Sequence, residues 1–172
     1  EGPCEFGPRA MGGRSVLASP LIEGISARVN RIKGRALYEP LAVSVIAEEA
    51  DRMFHLPDAA RGLADLMLVT ATPKGAWRER LGQTVHGDGT LRVHTIRPDT
   101  APRFHDLVRR FGERTGAPLV INTSFNHRGQ PMPATINQAL GNADELALTF
   151  MVVDGCLFVR KEGGTVRAGR DA

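Results

Sequence analysis

An apolar stretch at residues 118–121 changes abruptly into a polar one at residues 122–129, and this transition constrains the fold more than any other feature of the chain. The apolar run, Pro-Leu-Val-Ile, has the composition of a buried strand. Two Asn, a Thr, a Ser, an Arg and a Gly follow within eight residues. Asn and Ser supply hydrogen-bonding groups, Gly permits close backbone approach, and Arg offers a rigid fork for phosphate or carboxylate. The pattern predicts a buried strand that ends at a binding site; the alternative interpretation is an ordinary polar loop.

The length and composition favour one globular domain, since the chain has 172 residues of which 42% are hydrophobic and 24% charged. No apolar run approaches the ~20 residues that span a bilayer, and the N-terminus does not resemble a signal peptide. We therefore expect a cytoplasmic protein with no membrane partner, in which Cys4 and Cys156 are free thiols. The net charge of +3 is small and dispersed, which argues against a nucleic-acid partner. Because a motif is already under way at residue 5 and the chain starts at Glu1, we expect a fragment of a larger protein.

Hydrophobic periodicity and turn residues predict strands and helices that do not alternate strictly, so we expect an α/β (mixed α+β) domain. Ser19-Pro20 predicts the start of a helix and Gly34 its end. Thr135 and Gln138 have the spacing of a capping box, which predicts a helix after residue 135. The other predicted elements are a strand at 41–47, a short helix at 48–54, a strand at 66–72, a β-hairpin at 84–96 with its turn near 87–89, a helix at 104–111 that stops at Gly116, and a closing hairpin at 150–160.

Two further segments place cations beside glycine. Residues 5–15 carry Arg9 and Arg14 among three glycines and a proline, although a flexible terminal arm would have the same composition. Lys33 and Arg35 flank a predicted helix end, where the helix dipole alone would favour cations.

A third segment, residues 86–94, carries His86, Arg92 and His94. Strand alternation places Arg92 and His94 on one face. We expect Asp88 to be a turn residue rather than a metal ligand, because two ligands do not make a metal site. Together with the 122–129 loop, the segments offer cations and amides that suit a phosphate-bearing small molecule, although no P-loop or dinucleotide-binding fingerprint is present.

These segments, in this order, resemble the C-terminal domain of the O-carbamoyltransferase family, which modifies antibiotics and nodulation factors. The family's motifs E-F-G-P-R-A-L-G-x-R-S and N-T-S-F-N-x-R-G match residues 5–15 and the start of 122–139. Two shorter family motifs match residues 33–45 and 86–92. The resemblance extends from residue 5 to about Lys161, nearly the whole chain.

The resemblance implies a YrdC-like α/β domain, a twisted mixed sheet with packed helices. Such a domain would form carbamoyl-adenylate from carbamoyl phosphate and ATP, with Mg²⁺ accompanying the nucleotide. An N-terminal actin-like ATPase-fold domain, absent from this chain, would hold the catalytic metal and transfer the carbamoyl group to a hydroxyl of a small-molecule acceptor, as in antibiotic biosynthesis. The expected divisions are an interdomain border segment at 1–18, the YrdC-like domain at 19–165 and a disordered tail at 166–172.

The resemblance also implies roles for individual residues. Lys33, Arg92 and Arg128 would be catalytic, through contacts to the phosphates of carbamoyl phosphate or ATP. The residues expected to bind substrate or nucleotide are Arg9, Arg14, Arg35, His86, Asn122, Thr123, Ser124 and Asn126. No metal ligand is expected in this chain.

One departure from the family pattern concerns the proposed phosphate site. Glu39 stands where the family has Arg, six residues after Lys33. A carboxylate that faced the ligand phosphate would nearly abolish binding. Either Glu39 points away, paired with Arg35, or the domain is a non-catalytic or regulatory remnant of this fold; an RNA-binding module is a third reading, against which the modest charge argues.

Overall fold

The computed structural model of the chain describes residues 5, 7, 9–160, 164 and 166–168. Cys4 and most of the 1–8 segment therefore lie outside the described residues, whereas Cys156 is an exposed free thiol. The described part contains six α-helices and nine strands in two sheets. The helices are α1 Ile25–Ile32, α2 Ala47–Met53, α3 Arg61–Ala64, α4 Trp77–Arg80, α5 Pro102–Thr115 and α6 Ile136–Glu145.

The larger sheet has six strands in the order β1-β6-β2-β5-β4-β3. Only β2 and β5 pair in parallel; the other neighbours are antiparallel, so the sheet is mixed as predicted. Its strands are β1 Ser15–Ala18, β2 Ala42–Ile46, β3 Phe54–His55, β4 Val69–Pro73, β5 Leu91–Ile96 and β6 Leu119–Ser124. The smaller antiparallel sheet consists of β7 Phe150–Val153, β8 Cys156–Arg160 and β9 Val166–Ala168.

One face of the large sheet carries the largest apolar cluster of the described residues. Val43, Val45 and Val93 point to this face and pack with Phe54 and Leu81 in the largest buried cluster. Side chains two residues apart on a strand share a face, so this alternation places Ser44, Arg92 and His94 on the opposite one.

The opposite face is covered over only half its length. Helix α5 packs Phe104 and Val108 onto Ile46, Ile96 and Val120, which lie at one end of the strands. Towards the other end the same face becomes polar, with Ser44, Arg92, His94, Asn122 and Ser124. The half that the helix leaves uncovered is where the site forms.

Several predicted elements are confirmed. Strand 41–47, the helix near 48–54, the helix that stops at Gly116 and the closing hairpin all form with shifts of a few residues at their ends. Gly116 ends α5 with a φ of 70°, and the side chain of Thr135 accepts a hydrogen bond from Gln138 N in the predicted capping box.

Other predictions need correction. The hairpin at 84–96 does not form, because β5 pairs in parallel with β2 and residues 84–90 make a turn that Asp88 stabilises by accepting two hydrogen bonds from Thr90. Helix α1 begins at Ile25 rather than after Pro20, since Gly24 adopts a φ of 71° immediately before it. The strand predicted at 66–72 is Val69–Pro73, because Met67 still belongs to the turn that closes α3.

The predicted tail is wrong at its start. Val166–Ala168 forms β9 and pairs with β8, since Arg160, Val159 and Phe158 supply the backbone partners of a third strand. Residues 169–172, the rest of the predicted tail, lie outside the described residues. Within the described ranges no helix has both the length and the apolar character needed to cross a membrane.

Candidate anion-binding site

A polar cleft of about 70 Å³ lies at the uncovered end of the large sheet. It forms where the C-terminal end of β6 meets the N-terminal ends of β2 and β5, with the segment before β1 lying against it. Six of the residues predicted from the sequence line it: Arg9, Arg35, Arg92, Asn122, Thr123 and Ser124. The remaining lining residues are Ala10, Pro40, Leu41, Ala42 and Met67.

Three guanidinium groups meet in this cleft. Burial lowers the pKa of the Arg92 guanidinium below its ordinary value, and the like charges of Arg9 and Arg35 lower it further. The Nε of Arg9 is buried and has no hydrogen-bond partner among the described residues. An anion bound in the cleft would relieve the repulsion between these cations and satisfy the free donor, which makes phosphate or carboxylate its natural ligand.

Lys33 lies behind the cleft wall rather than in it. Its side chain is 1% exposed, and its ammonium group donates to the backbone oxygens of Ser124 and Asn126, to Ser124 Oγ at 3.2 Å and to Asn126 Oδ1 at 3.0 Å. Burial, and then the charge of Arg35, lower the pKa of Lys33 from 10.5 to about 8. The ammonium therefore fixes the loop after β6 and, through it, the position of Ser124 in the cleft.

Glycine at position 34 allows the same loop to dock on the end of α1. A Cβ at Gly34 would lie 2.7 Å from the ring of His127, whereas a Cβ at Gly116 would meet no atom within 4 Å. The two glycines have nearly equal φ values, 65° and 70°. Alanine at either position therefore introduces similar backbone strain, but only alanine at position 34 also disturbs the contact with His127.

We expect Gly34→Ala to weaken phosphate binding several-fold, because the added methyl group displaces His127 and the loop that follows β6. Gly34→Ala and Gly116→Ala should each lower the free energy of unfolding by about 1–2 kcal/mol through left-handed strain. Calorimetric titration with inorganic phosphate and urea denaturation measure the two effects. Equal phosphate affinities in both variants would show that the docked position of His127 does not matter for binding.

Asn30 is a site residue that the sequence analysis missed. It is fully buried on α1, and its Nδ2 donates to the carbonyl oxygens of Leu37 at 3.2 Å and Glu39 at 2.8 Å. These bonds hold the segment that leads into Pro40 and Leu41 at the cleft. A polar residue beside Val29 on the buried side of an amphipathic helix was the available signal.

Glu39 forms the predicted pair with Arg35. Its carboxylate lies 3.8 Å from Arg35 Nε and 4.0 Å from Arg128 Nη1, and it accepts a hydrogen bond from the Ala36 backbone N–H. Glu39 is not among the residues that line the cleft. It therefore draws Arg35 towards the rim and offsets part of the positive charge there.

We expect Glu39→Gln to tighten phosphate binding, because the neutral side chain no longer offsets the positive charge of Arg35. The affinity should rise by about 2- to 5-fold, since a partly exposed ion pair of this kind contributes about 0.2–1 kcal/mol. Glu49→Gln, which disrupts the exposed pair with Arg52 on α2, is the matched control and should change nothing. Titration of both variants with inorganic phosphate measures the difference. Weaker binding by Glu39→Gln would show that the carboxylate positions Arg35 rather than competing for it.

Four other predicted residues do not line the cleft. Arg128 is 67% exposed at the rim near Glu39, and Asn126 is committed to Lys33 and to the carbonyl of Gln130. His86 belongs to the 84–90 turn, where its backbone N–H bonds to Thr90 O. Arg14 contributes its backbone, donating to Glu5 and accepting from Phe125.

A larger groove of about 590 Å³ adjoins the cleft. Its lining includes Glu5, Gly12, His94 and Phe104, and also Met11, which follows Ala10 of the cleft in the sequence. The carboxylate of Glu5 shapes this edge by accepting hydrogen bonds from three backbone N–H groups, those of Met11, Gly13 and Arg14. Gly12 packs directly on the ring of Phe104, where a Cβ would come within 2.2 Å.

A family model described as "Carbamoyltransferase C-terminus" matches residues 1–160 of this chain. The chain belongs to the carbamoyltransferase C-terminal family. Nodulation protein NolO of Bradyrhizobium diazoefficiens is 36% identical over 168 residues, covering 97% of this chain and 30% of that protein. Nodulation protein NolNO of Sinorhizobium fredii is 34% identical over 162 residues, covering 94% of this chain and 24% of that protein. The chain thus spans less than a third of the length of these relatives.

Parts of two solved structures share the fold of this carbamoyltransferase C-terminal domain. Full-length HypF in a phosphate- and nucleotide-bound form matches with a TM-score of 0.58 and 24% identity, over 80% of this chain and 17% of that one. A variant of P. abyssi Sua5 matches with a TM-score of 0.50 and 17% identity, over 74% of this chain and 36% of that one. The YrdC-like fold predicted from the sequence is confirmed.

Proposed function

We propose that this carbamoyltransferase C-terminal domain binds carbamoyl phosphate and ATP and forms carbamoyl-adenylate. The single observation that carries the proposal is the convergence of Arg9, Arg35 and Arg92 on one small cleft, with a buried guanidinium donor of Arg9 unpaired among the described residues. The cleft suits a small phosphate-bearing anion. In a carbamoyltransferase family, the anion of this kind that also carries a carbamoyl group is carbamoyl phosphate.

The chemistry balances with one water molecule. Carbamoyl phosphate is hydrolysed to carbamate and inorganic phosphate, and a carbamate oxygen then attacks the α-phosphorus of ATP. One O–P bond forms, the bond to the β-phosphate bridge breaks, and the electron pair leaves on pyrophosphate. Both steps place negative charge on phosphate oxygens, so positioned cations contribute more than a nucleophile would.

The roles of individual residues follow from their positions. Arg9, Arg35 and Arg92 would bind the phosphate, while Lys33 acts as a positioning residue through Ser124. Arg128 at the rim would meet a ligand only at the mouth of the cleft. The adjoining groove, with Met11 and Phe104 in its lining, has the volume and the apolar surface for the nucleoside of ATP.

Metal and transfer chemistry would lie elsewhere in the protein. Among the residues that the structure describes, no three His, Cys, Asp or Glu side chains are grouped to hold a metal ion, so Mg²⁺ would enter with the nucleotide phosphates. Transfer of the carbamoyl group to a hydroxyl of a small-molecule acceptor would need the N-terminal actin-like domain that the resemblance implies.

Carbamoyl-phosphate-dependent exchange of radiolabelled pyrophosphate into ATP tests the proposal. The longest natural polypeptide that contains this chain should exchange label in the presence of both substrates. Removal of carbamoyl phosphate should abolish the exchange, and Arg92→Met should reduce it to background. Saturable phosphate binding without exchange would instead identify the domain as a non-catalytic binding module, the reading that Glu39 motivated.

A further inference from the structure

The side-chain amide of Asn122 is held in one orientation. Asn122 is 1% exposed, and its Nδ2 lies 3.0 Å from the carbonyl oxygen of Ala10 and 2.9 Å from Ser44 Oγ. A backbone carbonyl can only accept hydrogen bonds, so the atom of Asn122 that faces Ala10 must be the nitrogen. Both amide hydrogens are then committed to protein oxygens.

The hydroxyl of Ser44 is fixed in turn by His94. Ser44 Oγ accepts from Asn122 and lies 2.8 Å from His94 Nδ1. Burial lowers the pKa of His94 to about 4, against the opposing influence of Asp65 and Glu5, so the ring is neutral near pH 7 and Nδ1 can accept the Ser44 proton. In the tautomer that carries its proton on Nε2, the three side chains form an ordered chain of donors, from Asn122 to Ser44 and from Ser44 to His94.

One atom of this arrangement has no partner. Asn122 Oδ1 is buried and lacks a hydrogen-bond partner among the described residues, and Asn122 lines the cleft beside Arg92. A buried acceptor left unpaired is costly, so a ligand that offers a hydrogen there gains affinity over one that does not.

We propose that Asn122, oriented by Ala10 and Ser44, selects ligands that carry an NH₂ group on the carbonyl carbon attached to their phosphate end. It would thereby distinguish a carbamoyl from an acetyl group. This inference rests on the proposed function, since it assumes that the three arginines bind the phosphate end. The carbamoyl NH₂ would donate to Oδ1. The methyl group of an acetyl phosphate would leave Oδ1 unpaired in the same position.

Two stable phosphonates make the test, because they differ only in this group. Phosphonoacetamide carries NH₂ where acetonylphosphonate carries CH₃, and both share the carbonyl and the phosphonate. We expect the wild-type chain to prefer the amide by about 10- to 100-fold in calorimetric titrations. Inorganic phosphate is the reference ligand, since it reports the arginine cluster alone.

Two variants separate the selecting residue from its support. Asn122→Ala should remove the preference, so that the two phosphonates bind with equal affinity. Ser44→Ala should reduce the preference to a few-fold, because one amide hydrogen loses its acceptor and the amide can rotate. Circular dichroism and thermal melting check that each variant folds. If neither variant folds, the comparison of the two phosphonates on the wild-type chain still tests the proposal.

The outcomes distinguish this inference from the proposed function. Equal wild-type affinity for the two phosphonates, with phosphate still bound, would overturn the selection by Asn122 and leave the anion site standing. A preference that survives in both Asn122→Ala and Ser44→Ala would also overturn it. Failure of the wild-type chain to bind inorganic phosphate would overturn the anion site itself.

Discussion

Replacement of Arg92 by Met is expected to weaken inorganic phosphate binding by about 30- to 100-fold without lowering the melting temperature. Arg92 lies on the central strand β5, half-buried, where burial and the charges of Arg9 and Arg35 both lower its pKa. The same surroundings that destabilise the free cation make its hydrogen bonds to an anion strong, since charge-assisted bonds contribute about 1.5–3 kcal/mol. Removing the charge therefore relieves repulsion in the free protein and removes attraction in the complex.

The measurements must therefore separate the effect of Arg92→Met on the stability of the free protein from its effect on phosphate affinity. Calorimetric titration gives the phosphate affinity and differential scanning calorimetry gives the melting temperature. Arg97→Met, which removes the same charge just after β5 at an exposed pair with Asp99, is the matched control and should leave phosphate affinity unchanged. A lower melting temperature with unchanged phosphate affinity would assign Arg92 a structural role and remove the basis of the proposed site.

Local sequence patterns predicted which polar residues lie together better than they predicted how the strands pair. The strand of β6 and its polar end were predictable because four consecutive apolar residues and a cluster of amides are local features. The place of β5 was not, because its parallel pairing with β2 joins residues about fifty positions apart and no local pattern encodes it. The turn at Asp88 imitated a hairpin, since turn residues between apolar stretches have the same composition in both cases.

The cleft itself shows a second limit of sequence reasoning. Charge and motif position grouped Arg9, Arg35 and Arg92, which the structure brings to one cleft. They could not distinguish these cations from Lys33, which lies behind the wall. That distinction depends on which side of α1 faces β6. Asn30 and Ser44 were missed for the same reason, because a polar residue within an apolar element shows its purpose only when its partners, Leu37 O or Asn122 Nδ2, are known.

Replacement of Lys33 by Met is expected to release the loop after β6 while changing global stability only modestly at neutral pH. The three N–H donors of the ammonium lie within hydrogen-bond reach of four oxygens of Ser124 and Asn126, and Met leaves all four without this donor group. Burial of the charge is itself costly, since lowering the pKa from 10.5 to about 8 corresponds to about 3 kcal/mol. The two effects oppose each other in the free energy of unfolding, but only the lost bonds act on the loop. Hydrogen exchange should therefore speed up by about 10- to 100-fold at residues 124–126, and phosphate affinity should fall at least 10-fold.

The pH dependence of stability separates this account from simple loss of packing. The pKa of Lys33 is lower in the folded chain than in the unfolded chain, so between about pH 8 and 10.5 the unfolded chain binds more protons. The contribution of Lys33 to the free energy of unfolding consequently rises with pH across that window, by up to about 3 kcal/mol. Urea denaturation at pH 7.5 and pH 10 should show this rise in the wild-type chain but not in Lys33→Met. Lys74→Met is the control and should also show the rise, because the ammonium of Lys74 lies at the surface, where it donates to Asp51 O. The same slope in all three proteins would mean that Lys33 titrates as an exposed lysine and that its four contacts do not hold the loop in solution.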